Sequence, residues 1–494
     1  MTTIAQETPN PESTIARVAV ADDPELVPTV VDFARSVTEQ VGLEAEAARR
    51  LGQTLGEVCN NVIEYAFSPG EERPYEVEIL RRPGRVVVAV EDMGLPFDYA
   101  HLGEVEDQEV FGGSFVDEVR LLNLGRGGNR VELVKLLPHA DIREHVSEDE
   151  HHRTVQAPAV PEDARYEIRP MLPEESPELS RCIYRSYGYS YDWDYVYYPE
   201  RIRELQEGSL MRSYAAVTPG GEFVGHIALR VEHPEDLVGE AGQAVVDPRY
   251  RGHHLFPKMM TFMLEQARND GMYGLYGEAT AVHPYSQKGT LELGARETGF
   301  LLGYIPGSVS YKEMGEDMEG RRGSAALIYT RTNPEPERTV YPPATHRKVV
   351  QRIIEHNGLR RTFGSGTVAE MPPSARVTVD VRRDHNLAFL RVEEPGADLQ
   401  DLVRVWLHRL CLQRIDCIYV DLPLSHPAAQ AAGARLHELG FFFGAVLPEL
   451  RDGDVLRLQY LNEVEIRPED VRTASDFGRE LFEFVFESKK SAES

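Results

Sequence analysis

The chain has 494 residues, of which 41% are hydrophobic, and 53 basic against 81 acidic residues give it a formal net charge of −28. At roughly 150 residues per domain, this length predicts about three domains, each with enough apolar residues for its own core. The acidic balance argues against non-specific binding to DNA or to an anionic membrane, so we expect no nucleic-acid partner and no membrane partner.

The sequence carries no marks of export. No apolar run approaches the ~20 residues that span a bilayer, and the first residues lack the basic and apolar regions of a signal peptide. The cysteines are widely spread and include no C-x-x-C pair, which favours buried thiols over disulfides or a zinc site. We therefore expect a cytoplasmic protein.

Two segments near the N-terminus, 24–41 and 44–67, have the apolar periodicity of amphipathic helices. On the second, Glu57, Asn61 and Glu64 share one face. A carboxylate and an amide one helical turn apart can hold a water and a magnesium ion beside a phosphate chain. The alternative interpretation is a solvated polar face with no ligand.

Two further motifs follow this helix. Segments 75–80 and 85–91 alternate like the strands of a hairpin and run into the second motif, while the third precedes segment 131–137, which is predicted to be helical. In chain order the three motifs are Glu57-x-x-x-Asn61, Asp92-x-Gly94 and Gly125-x-Gly127-Gly128. Together they resemble the nucleotide boxes of the GHKL ATPases, specifically the short anti-sigma-factor serine kinases.

This resemblance implies an ATP-binding domain over residues 14–147. In that family the glutamate matched by Glu57 is the base, the asparagine matched by Asn61 binds magnesium, and the aspartate matched by Asp92 recognises the adenine amino group. The glycines of the second and third motifs complete the implied ATP site. The third box is matched in part, because Arg130 stands where a further glycine is expected.

The middle of the chain begins after a charged, proline-bearing stretch at 148–165, which is predicted to be a linker. Segments 213–217 and 222–231 are predicted to form a hairpin around a Gly-Gly turn. The dense aromatic run at 187–198, which includes Trp193, has two interpretations. Its rings line a cleft for an acceptor substrate, or they pack as a long loop between helices.

A strand, a basic turn with a glycine and a helix follow one another between residues 244 and 267. The apolar run ends at Asp247-Pro248, because proline cannot donate to a sheet, and an amphipathic helix begins at about Leu255. N–H groups at a helix N-terminus point at an anion, and glycine lets a pyrophosphate approach closely. The residues predicted to line this site are Val245, Val246, Arg249, Arg251, Gly252, His253, His254 and Leu255.

This turn resembles the acyl-CoA loop of the GNAT acetyltransferases, Arg/Gln-x-x-Gly-x-Gly/Ala after the fourth strand, here Arg249-Tyr-Arg-Gly252-His-His254. It departs from the family at His254, which replaces a small residue. The resemblance implies that residues 166–330 form a GNAT domain, that its cofactor is acetyl-CoA, and that its acceptor is a small-molecule or protein amine.

The same resemblance implies catalytic roles. The family's base is often a glutamate near the fourth strand, for which Glu240 is the candidate, although it could equally be a surface carboxylate. The oxyanion donor would be a backbone N–H near Val245 or Val246. The family's general acid is a tyrosine, but Thr290 occupies its place here, which leaves Tyr285 or a water to protonate the thiolate.

The last third of the chain repeats the middle third. A His-Pro-x-x-Gln motif at 283–287 recurs at 426–430, a spacing of 143 residues (283 to 426), and its persistence favours a structural role. The same spacing places the counterpart of the acyl-CoA loop at 393–398, where acids have replaced the arginines and would repel a pyrophosphate. After a linker at 331–347, residues 348–488 are therefore predicted to be a degenerate GNAT-like domain. It shapes the acceptor cleft, binds a regulator or buttresses its neighbour.

The predicted fold class is α/β (α+β), with an N-terminal GHKL (Bergerat) α/β sandwich followed by two GNAT-like mixed-sheet α/β domains. One hypothesis is an acetyl-CoA-dependent N-acetyltransferase whose activity is tuned by ATP and Mg in the N-terminal domain. The other is an anti-sigma-type regulatory protein that binds a partner protein or phosphorylates a serine on it. In that second hypothesis, the GNAT folds are ligand-sensing modules.

Overall fold

The structure is a computed structural model that describes residues 13–67, 73–82, 85–94, 116–124, 128–137, 165–188, 191, 193–307, 321–365, 371–382 and 385–492. The strands are β1 (Ser13–Val20), β2 (Tyr75–Arg82), β3 (Arg85–Asp92), β4 (Glu118–Asn123), β5 (Asn129–Leu136), β6 (Glu167–Pro170), β7 (Met211–Val217), β8 (Phe223–Arg230), β9 (Val238–Val246), β10 (Gly274–Thr280), β11 (Arg296–Ile305), β12 (Gly323–Arg331), β13 (Arg338–Val340), β14 (Arg361–Phe363), β15 (Arg376–Arg382), β16 (Leu387–Glu394), β17 (Cys417–Pro423), β18 (Phe442–Leu447) and β19 (Val455–Leu461). The α-helices are α1 (Val27–Gln40), α2 (Ala45–Tyr65), α3 (Ser176–Tyr187), α4 (Pro199–Glu207), α5 (Leu255–Asn269), α6 (Tyr285–Glu292), α7 (Arg347–His356), α8 (Leu399–Leu412), α9 (Ala429–Glu438) and α10 (Asp476–Ala492). None of the helices in these ranges has both the length and the apolar character needed to cross a membrane.

The chain divides into two compact units. The first consists of Met1–His139 with Glu207–Ser209 and Arg376–Arg383, and the second consists of the remaining residues. The two predicted GNAT-like segments therefore lie together in the second unit, apart from residues 207–209 and β15. The domain boundaries at 147, 165, 330 and 347 stay predictions.

The first unit is an antiparallel sheet with two helices on one face. Its strand order is β1-β2-β3-β5-β4-β15. Helix α2 packs against β3 and β5, and α1 packs against β2 and α2. The apolar stripe of α2, with Leu51, Leu55 and Val58, is fully buried between helix and sheet. This arrangement confirms the predicted N-terminal α/β sandwich.

Three strands of this sheet differ from the sequence prediction. Segment 131–137 was predicted as a helix, which is wrong, because it lies in strand β5. Both faces of β5 are buried along most of its length, so its apolar residues lack the clean alternation of a half-exposed strand. Strand β1 was not predicted, and β15 comes from within 348–488 although it pairs with β4.

The first part of the second unit is a mixed sheet. Strands β6, β7, β8 and β9 pair antiparallel in that order, and β9 then pairs in parallel with β10. Strand β10 pairs antiparallel with β12, which pairs with β11. Helix α5 covers one face of β7 and β8, and α3 packs against β8 and β9. The predicted hairpin at 213–217 and 222–231 is confirmed.

The second part of this unit repeats the later elements of the first part. Strand β16 pairs in parallel with β17, which pairs antiparallel with β19, and β19 pairs with β18. The order β9-α5-β10-α6-β11-β12 thus recurs as β16-α8-β17-α9-β18-β19. Strands β10 and β17 begin and end 143 residues apart (274 to 417 and 280 to 423). The structure therefore confirms the internal repeat that the sequence predicts.

The two repeats join through β11 and β18. Gly299 pairs with Ala445, and a Cβ on Gly299 would stand 2.2 Å from the carbonyl oxygen of Gly444, so this approach requires glycine. The amide of Gln459 accepts from the N–H of Leu302 at 2.9 Å. Helix α10 packs across both strands. The junction is therefore built from backbone contact and a buried hydrogen bond.

Candidate functional site

Strands β9 and β10 separate before the predicted anion loop. They pair only where 238–240 meets 274–276, whereas β9 continues to pair with β8 as far as Val246 and β10 continues beside β12 as far as Thr280. A gap therefore opens along the second half of β9. Because parallel strands end at the same edge, the loop 247–254 and the residues after Thr280 lie at the mouth of this gap.

A β-bulge interrupts β9 inside the gap. The register shifts next to Ala228, so that Gln243 and Ala244 of β9 stand opposite the single residue Ile227. Gln243 has a φ of 53°, a left-handed conformation that a glutamine rarely adopts. Bulges of this kind turn backbone groups toward a site next to the strand. The sequence pattern gave no sign of it.

The backbone after the bulge has one N–H that faces the gap. The N–H of Asp247 donates to the carbonyl oxygen of Val224 on β8 at 2.9 Å. Successive N–H groups of a strand point to opposite sides. The N–H of Val246 therefore points away from β8, toward the side where β10 no longer pairs. Of the two predicted oxyanion donors, Val246 is therefore better placed than Val245.

Asp247 organises the turn that follows β9. Its side chain is fully buried and accepts from Nε and Nη2 of Arg249 at 2.9 and 2.8 Å, and from Nη1 of Arg185 at 3.0 Å. Burial raises the pKa of Asp247, but the hydrogen bonds and charges of both arginines outweigh it and leave the pKa below its ordinary value. Arg249 also lies 2.9 Å from Glu222. The predicted cofactor residue Arg249 thus holds the turn together.

The loop ends in an open backbone cradle. Gly252 has a φ of 89°, and nothing lies within 4 Å of where its Cβ would stand. In the described part of the chain, the N–H groups of Gly252, His253 and His254 donate to no backbone carbonyl. They point from the N-terminus of α5, which begins at the buried Leu255 and adds the positive end of its dipole. This is the geometry of an anion site.

Two side chains of the loop, those of Arg251 and His254, belong to the residues that form this cradle. Arg251 is exposed in the same turn and supplies a positive charge. His254 is the N-cap residue of α5 in the left-handed conformation, with a φ of 55°, and its side chain makes no capping hydrogen bond. His254 therefore adopts a left-handed backbone conformation at the position where the resemblance leads us to expect a small residue.

Glu240 belongs to a cluster on one face of β8 and β9. It lies within β9, opposite Arg230, with 3.9 Å between Oε2 and Nη1. Its Oε1 would be 3.2 Å from a Cβ on Gly242, so the carboxylate leans along the strand toward the bulge. The guanidinium of Arg230 is 4.2 Å from the ring of Trp193 and 5.6 Å from that of Tyr195. Trp193 and Tyr195 therefore cover Arg230, which stands opposite the predicted base.

Tyr285 and Thr290 lie in very different surroundings. Tyr285 opens α6 just beyond the end of β10, and its side chain is 65% exposed beside the ring of His283. Thr290 is buried, and its hydroxyl donates to the carbonyls of Ser286 and Gln287 at 3.0 Å each. The hydroxyl of Thr290 is thus engaged in the helix, whereas that of Tyr285 is accessible at the mouth of the gap.

The second candidate site lies in the first unit, around Asp92. This aspartate is 3% exposed, and its Oδ1 accepts from the N–H of Gly94 at 2.8 Å and from Nδ2 of Asn129 at 3.1 Å. Its Oδ2 is buried with no hydrogen-bond partner among the described residues. Burial raises the pKa of Asp92, and the two hydrogen bonds offset only part of that rise. An amino group of a ligand would satisfy Oδ2.

The glycines around Asp92 allow close backbone approaches. A Cβ on Gly94 would stand 2.2 Å from the carbonyl oxygen of Ala66, at the end of α2. Gly128 has a φ of 87°, and a Cβ there would stand 1.9 Å from the carbonyl oxygen of Asp92. Both glycines are therefore needed for packing. Gly125 and Gly127 lie outside the described residues.

Glu57 and Asn61 lie one turn apart on α2, Glu57 exposed and Asn61 half-buried. Although Glu57 is exposed, the surrounding protein keeps some water from its carboxyl group, and this desolvation raises its pKa. Carboxylate and amide oxygens suit magnesium, so the donors fit the implied ion. Among the described residues no group of three His, Cys, Asp or Glu side chains could hold a metal. A magnesium ion here would therefore need further oxygens from a bound phosphate chain or water.

Two protein-family models match the chain, one over each of the stretches that contain the candidate sites. Residues 20–135 match the family model of the histidine kinase-like ATPase domain. Residues 176–300 match the model of the acetyltransferase (GNAT) family. The chain contains an ATPase-like domain and a GNAT domain. A comparison with curated proteins found no match.

Solved structures similar to the chain include several N-acetyltransferases. The ribosomal-protein-S18-alanine N-acetyltransferase of Escherichia coli is 14% identical, with 35% of this chain and 97% of that chain covered and a TM-score of 0.29. The spermidine/spermine N-acetyltransferase SpeG of Vibrio cholerae is 14% identical, with 34% and 95% covered and a TM-score of 0.27. The yncA protein of Salmonella typhimurium, solved with its cofactor acetyl-CoA, is 13% identical, with 35% and 97% covered and a TM-score of 0.29.

The GNAT domain's cradle has a blocked counterpart in the second repeat. The loop between β16 and α8 contains Gly396, where a Cβ would stand 2.2 Å from the backbone nitrogen of Ala375. The N–H of Ala375 donates to Oδ1 of Asp398 at 2.7 Å, and the N–H of Ala397 donates to the carbonyl of Pro372 at 2.9 Å. The chain itself thus fills the space that is open at Gly252. The sequence predicted a degenerate loop from its charge, and packing blocks it as well.

Arg130, the departure from the third nucleotide box, lies on β5 of the ATPase-like domain. Its guanidinium bonds to Glu78 at 3.0 Å, to Glu132 at 3.0 Å and to Glu91, and only 12% of its side chain is exposed. Burial lowers the pKa of Arg130, but the three carboxylates raise it well above the ordinary value. Arg130 is therefore the counter-ion of three acidic residues on the sheet, which gives this position a structural role.

We expect Arg130→Met to destabilise the sheet by about 3 kcal/mol, because it removes a cation that three carboxylates share. Native-state hydrogen exchange of β3 and β5 amides measures this loss. Burial raises the pKa of Glu78, but bonds from Thr14 and Arg130 outweigh it and hold the pKa below its ordinary value. The stability that these bonds contribute is lost as the pH falls. The difference in free energy of unfolding between Arg130→Met and the wild type should therefore become smaller in acid.

Arg49→Met is the matched control for Arg130→Met. Arg49 pairs with Glu46 on the exposed side of α2, where an ion pair contributes little. Exchange in the sheet should therefore be unchanged in this variant. Equal protection of β5 in the two variants would contradict the structural role of Arg130.

Proposed function

We propose that the chain is an acetyl-CoA-dependent N-acetyltransferase that transfers an acyl group to an amine acceptor. One observation carries the proposal: the cradle at Gly252, with its open left-handed glycine and with N–H groups at the start of α5 that donate to no backbone carbonyl of the described residues. A pyrophosphate fits such a cradle, and the adjoining gap between β9 and β10 offers room for the rest of a long thioester. The GNAT match over 176–300 supports the same class.

The residues around the gap divide the chemistry between them. Acetyl-CoA supplies the acyl group as a thioester. Glu240 takes the proton that the amine loses as its nitrogen bonds to the carbonyl carbon, while the N–H of Val246 donates to the carbonyl oxygen as charge develops there. When the C–S bond breaks, Tyr285 or a water protonates the thiolate. The products are the amide and the free thiol of CoA.

We expect Glu240→Gln to lower kcat by roughly 100-fold or more, because an amide cannot accept the amine proton. The assay follows CoA thiol release with a panel of polyamines, amino acids and peptides with free N-termini. Acetyl-CoA affinity should be unchanged, since Glu240 lies in β9 before the bulge and outside the loop 247–254.

Glu235→Gln is the matched control, because Glu235 is an exposed carboxylate on the turn between β8 and β9. It should leave kcat intact. If Glu240→Gln behaves in the same way, Glu240 is a surface carboxylate and the base lies elsewhere.

We also propose that the ATPase-like domain binds ATP with magnesium and that its occupancy tunes acetyl transfer. The Oδ2 of Asp92 has no hydrogen-bond partner among the described residues, and this supports the proposal, because the adenine amino group would donate to it. Glu57 and Asn61 would hold a magnesium ion and a water beside the phosphates. The alternative function is an anti-sigma-type serine kinase. Transfer of labelled phosphate from ATP to a serine of a partner protein, without acetyl transfer, would favour that alternative.

We propose further that the second GNAT-like repeat shapes the acceptor cleft. The ring of His385 lies 5.4 Å from that of Trp193, which covers Arg230. Arg391 and Arg451 form ion pairs with Glu232, just after β8, at 3.0 and 2.9 Å. The repeat thus contacts both the aromatic cover and the strand beneath it. This supports the first of its three predicted roles.

A further inference from the structure

The bulge of β9 carries a buried side chain whose polar atoms the described fold does not use. Gln243 is 6% exposed, and neither its Oε1 nor its Nε2 has a hydrogen-bond partner within the described ranges. Burying an amide without partners is costly, and the φ of 53° adds backbone strain at the same residue. A residue that carries both an unpartnered amide and a strained backbone is expected to have a role that offsets these two costs in stability.

Other buried glutamines of the same unit have donor bonds. Gln459 is fully buried, and its Nε2 donates to the carbonyls of Phe300 and Phe443 at 2.9 and 3.1 Å. The Nε2 of Gln287 donates to the carbonyls of Thr280 and Arg472 at 3.0 and 2.8 Å. These amides hold the fold together, and Gln287 has the structural role predicted for its motif. Gln243 differs from both because its amide makes no hydrogen bond to the described residues.

The surroundings of Gln243 fix its backbone. Nδ1 of His226 lies 3.0 Å from the Gln243 carbonyl oxygen, so the ring donates from Nδ1. Burial lowers the pKa of His226 to about 4, which keeps the ring neutral at pH 7. The hydrogen bond from His226 therefore holds the backbone of the bulge in place. The carboxylate of Glu240 leans toward it over Gly242.

We propose that the Gln243 carboxamide binds the reacting groups, with Nε2 donating to the acyl carbonyl oxygen and Oε1 accepting from the amine. The proposal rests on the acetyltransferase function. Gln243 lies in the stretch of β9 that β10 leaves open, three residues before the N–H of Val246. A carboxamide offers a donor and an acceptor together, which the reacting thioester and amine both need. Being neutral, it does not compete with Glu240 for the proton.

The experiment compares acetyl-CoA with CoA, so it needs no knowledge of the acceptor. Wild type, Gln243→Met and Gln243→Gly are titrated with each ligand by calorimetry. We expect wild type to bind acetyl-CoA about 5-fold more tightly than CoA, because the acyl carbonyl gains a hydrogen bond from Nε2 of Gln243 beside that from the N–H of Val246. In both variants the preference should fall, since only the Val246 donor is left, while the affinity for CoA stays unchanged. Once an acceptor is found, kcat should fall roughly 100-fold.

Thermal unfolding without ligand separates this role from a structural one. Methionine fills a similar volume without burying an amide, so we expect Gln243→Met to melt at or above the wild-type midpoint. Glycine relieves the left-handed backbone but leaves a cavity, so these two effects of Gln243→Gly oppose each other. A glutamine retained for folding would instead melt lower when replaced. Gln351→Met, on the exposed side of α7, is the control and should change neither the midpoint nor the ligand preference.

The outcomes distinguish this inference from the proposed function. If wild type binds neither acetyl-CoA nor CoA, the acetyltransferase function fails and the role of Gln243 fails with it. If wild type binds both and the Gln243 variants keep the full preference for acetyl-CoA, the function stands and this inference is overturned. A fall in the midpoint of both variants with an unchanged preference would also overturn it.

Discussion

Replacing Gly252 with aspartate is expected to weaken acetyl-CoA binding by about 100-fold. The new carboxylate would stand in the open cradle at the N-terminus of α5, beside the position proposed for the pyrophosphate. Like charges a few ångströms apart at a protein surface repel by roughly 3 kcal/mol, which corresponds to that loss in affinity. Calorimetric titration with acetyl-CoA measures it directly.

Gly271 supplies a matched control at the other end of the same helix. It has a φ of 75°, and nothing lies within 4 Å of where its Cβ would stand, so Gly271→Asp carries the same backbone cost and the same charge. It lies just after the C-terminus of α5, far along the chain from the cradle. The control should therefore bind acetyl-CoA like wild type. Equal affinities in the two variants would show that the cradle does not bind the cofactor.

Asp92→Asn is expected to weaken ATP binding by about 50-fold. An asparagine keeps an acceptor for the N–H of Gly94 and for Asn129, but it turns an NH₂ group toward the place of Oδ2. The adenine amino group would then meet a donor instead of an acceptor, and the loss of a charge-assisted hydrogen bond has about this effect. Titration with Mg-ATP measures the change.

The same substitution should stabilise the ligand-free ATPase-like domain at pH 7. Because the folded-state pKa of Asp92 is raised, the folded state binds the proton more tightly than the unfolded state does. Wild-type stability therefore falls as pH rises through the folded pKa, and the Asp92→Asn variant lacks this fall. Asp32→Asn removes the same charge from the exposed face of α1 and serves as the control. A variant that loses ATP binding and also melts lower would point to misfolding.

The position of the anion loop could be predicted from the sequence because local signals define it. Proline ends β9, glycine opens the turn, and the helical period begins at Leu255, where the structure begins α5. The role of Arg249 in holding the turn could not be predicted in the same way. An Asp-Pro-Arg turn brings the two charged side chains together, but only the structure shows that Asp247 is buried and holds Arg249 in place.

The features that the sequence missed depend on register or on distant pairing. The bulge at Gln243 changes which residues face each other, and neither strand shows this in its own pattern. Strand β15 has the alternation of a strand at Val377, Val379 and Val381, but its partner β4 lies far away in the chain. Arg230 was missed because a lone arginine in a strand gives no functional signal without its aromatic cover.

The two GNAT-like repeats show how one fold can keep or lose a site. In the first, the space above Gly252 is open. In the second, the backbone at Ala375 occupies the space above Gly396 and bonds to Asp398. Adding arginines to the loop between β16 and α8 would therefore restore positive charge there, but it would not restore the space for a pyrophosphate. We therefore propose that acyl-CoA binds to the first repeat alone.

The stoichiometry of acetyl-CoA binding tests this account most directly. Calorimetric titration of the full wild-type chain should give one acetyl-CoA per chain, and Gly252→Asp should remove that one site while Gly271→Asp keeps it. A stoichiometry of zero would contradict the acetyltransferase function. A stoichiometry of two, or one site that persists in Gly252→Asp, would contradict the assignment of the cofactor to the first repeat.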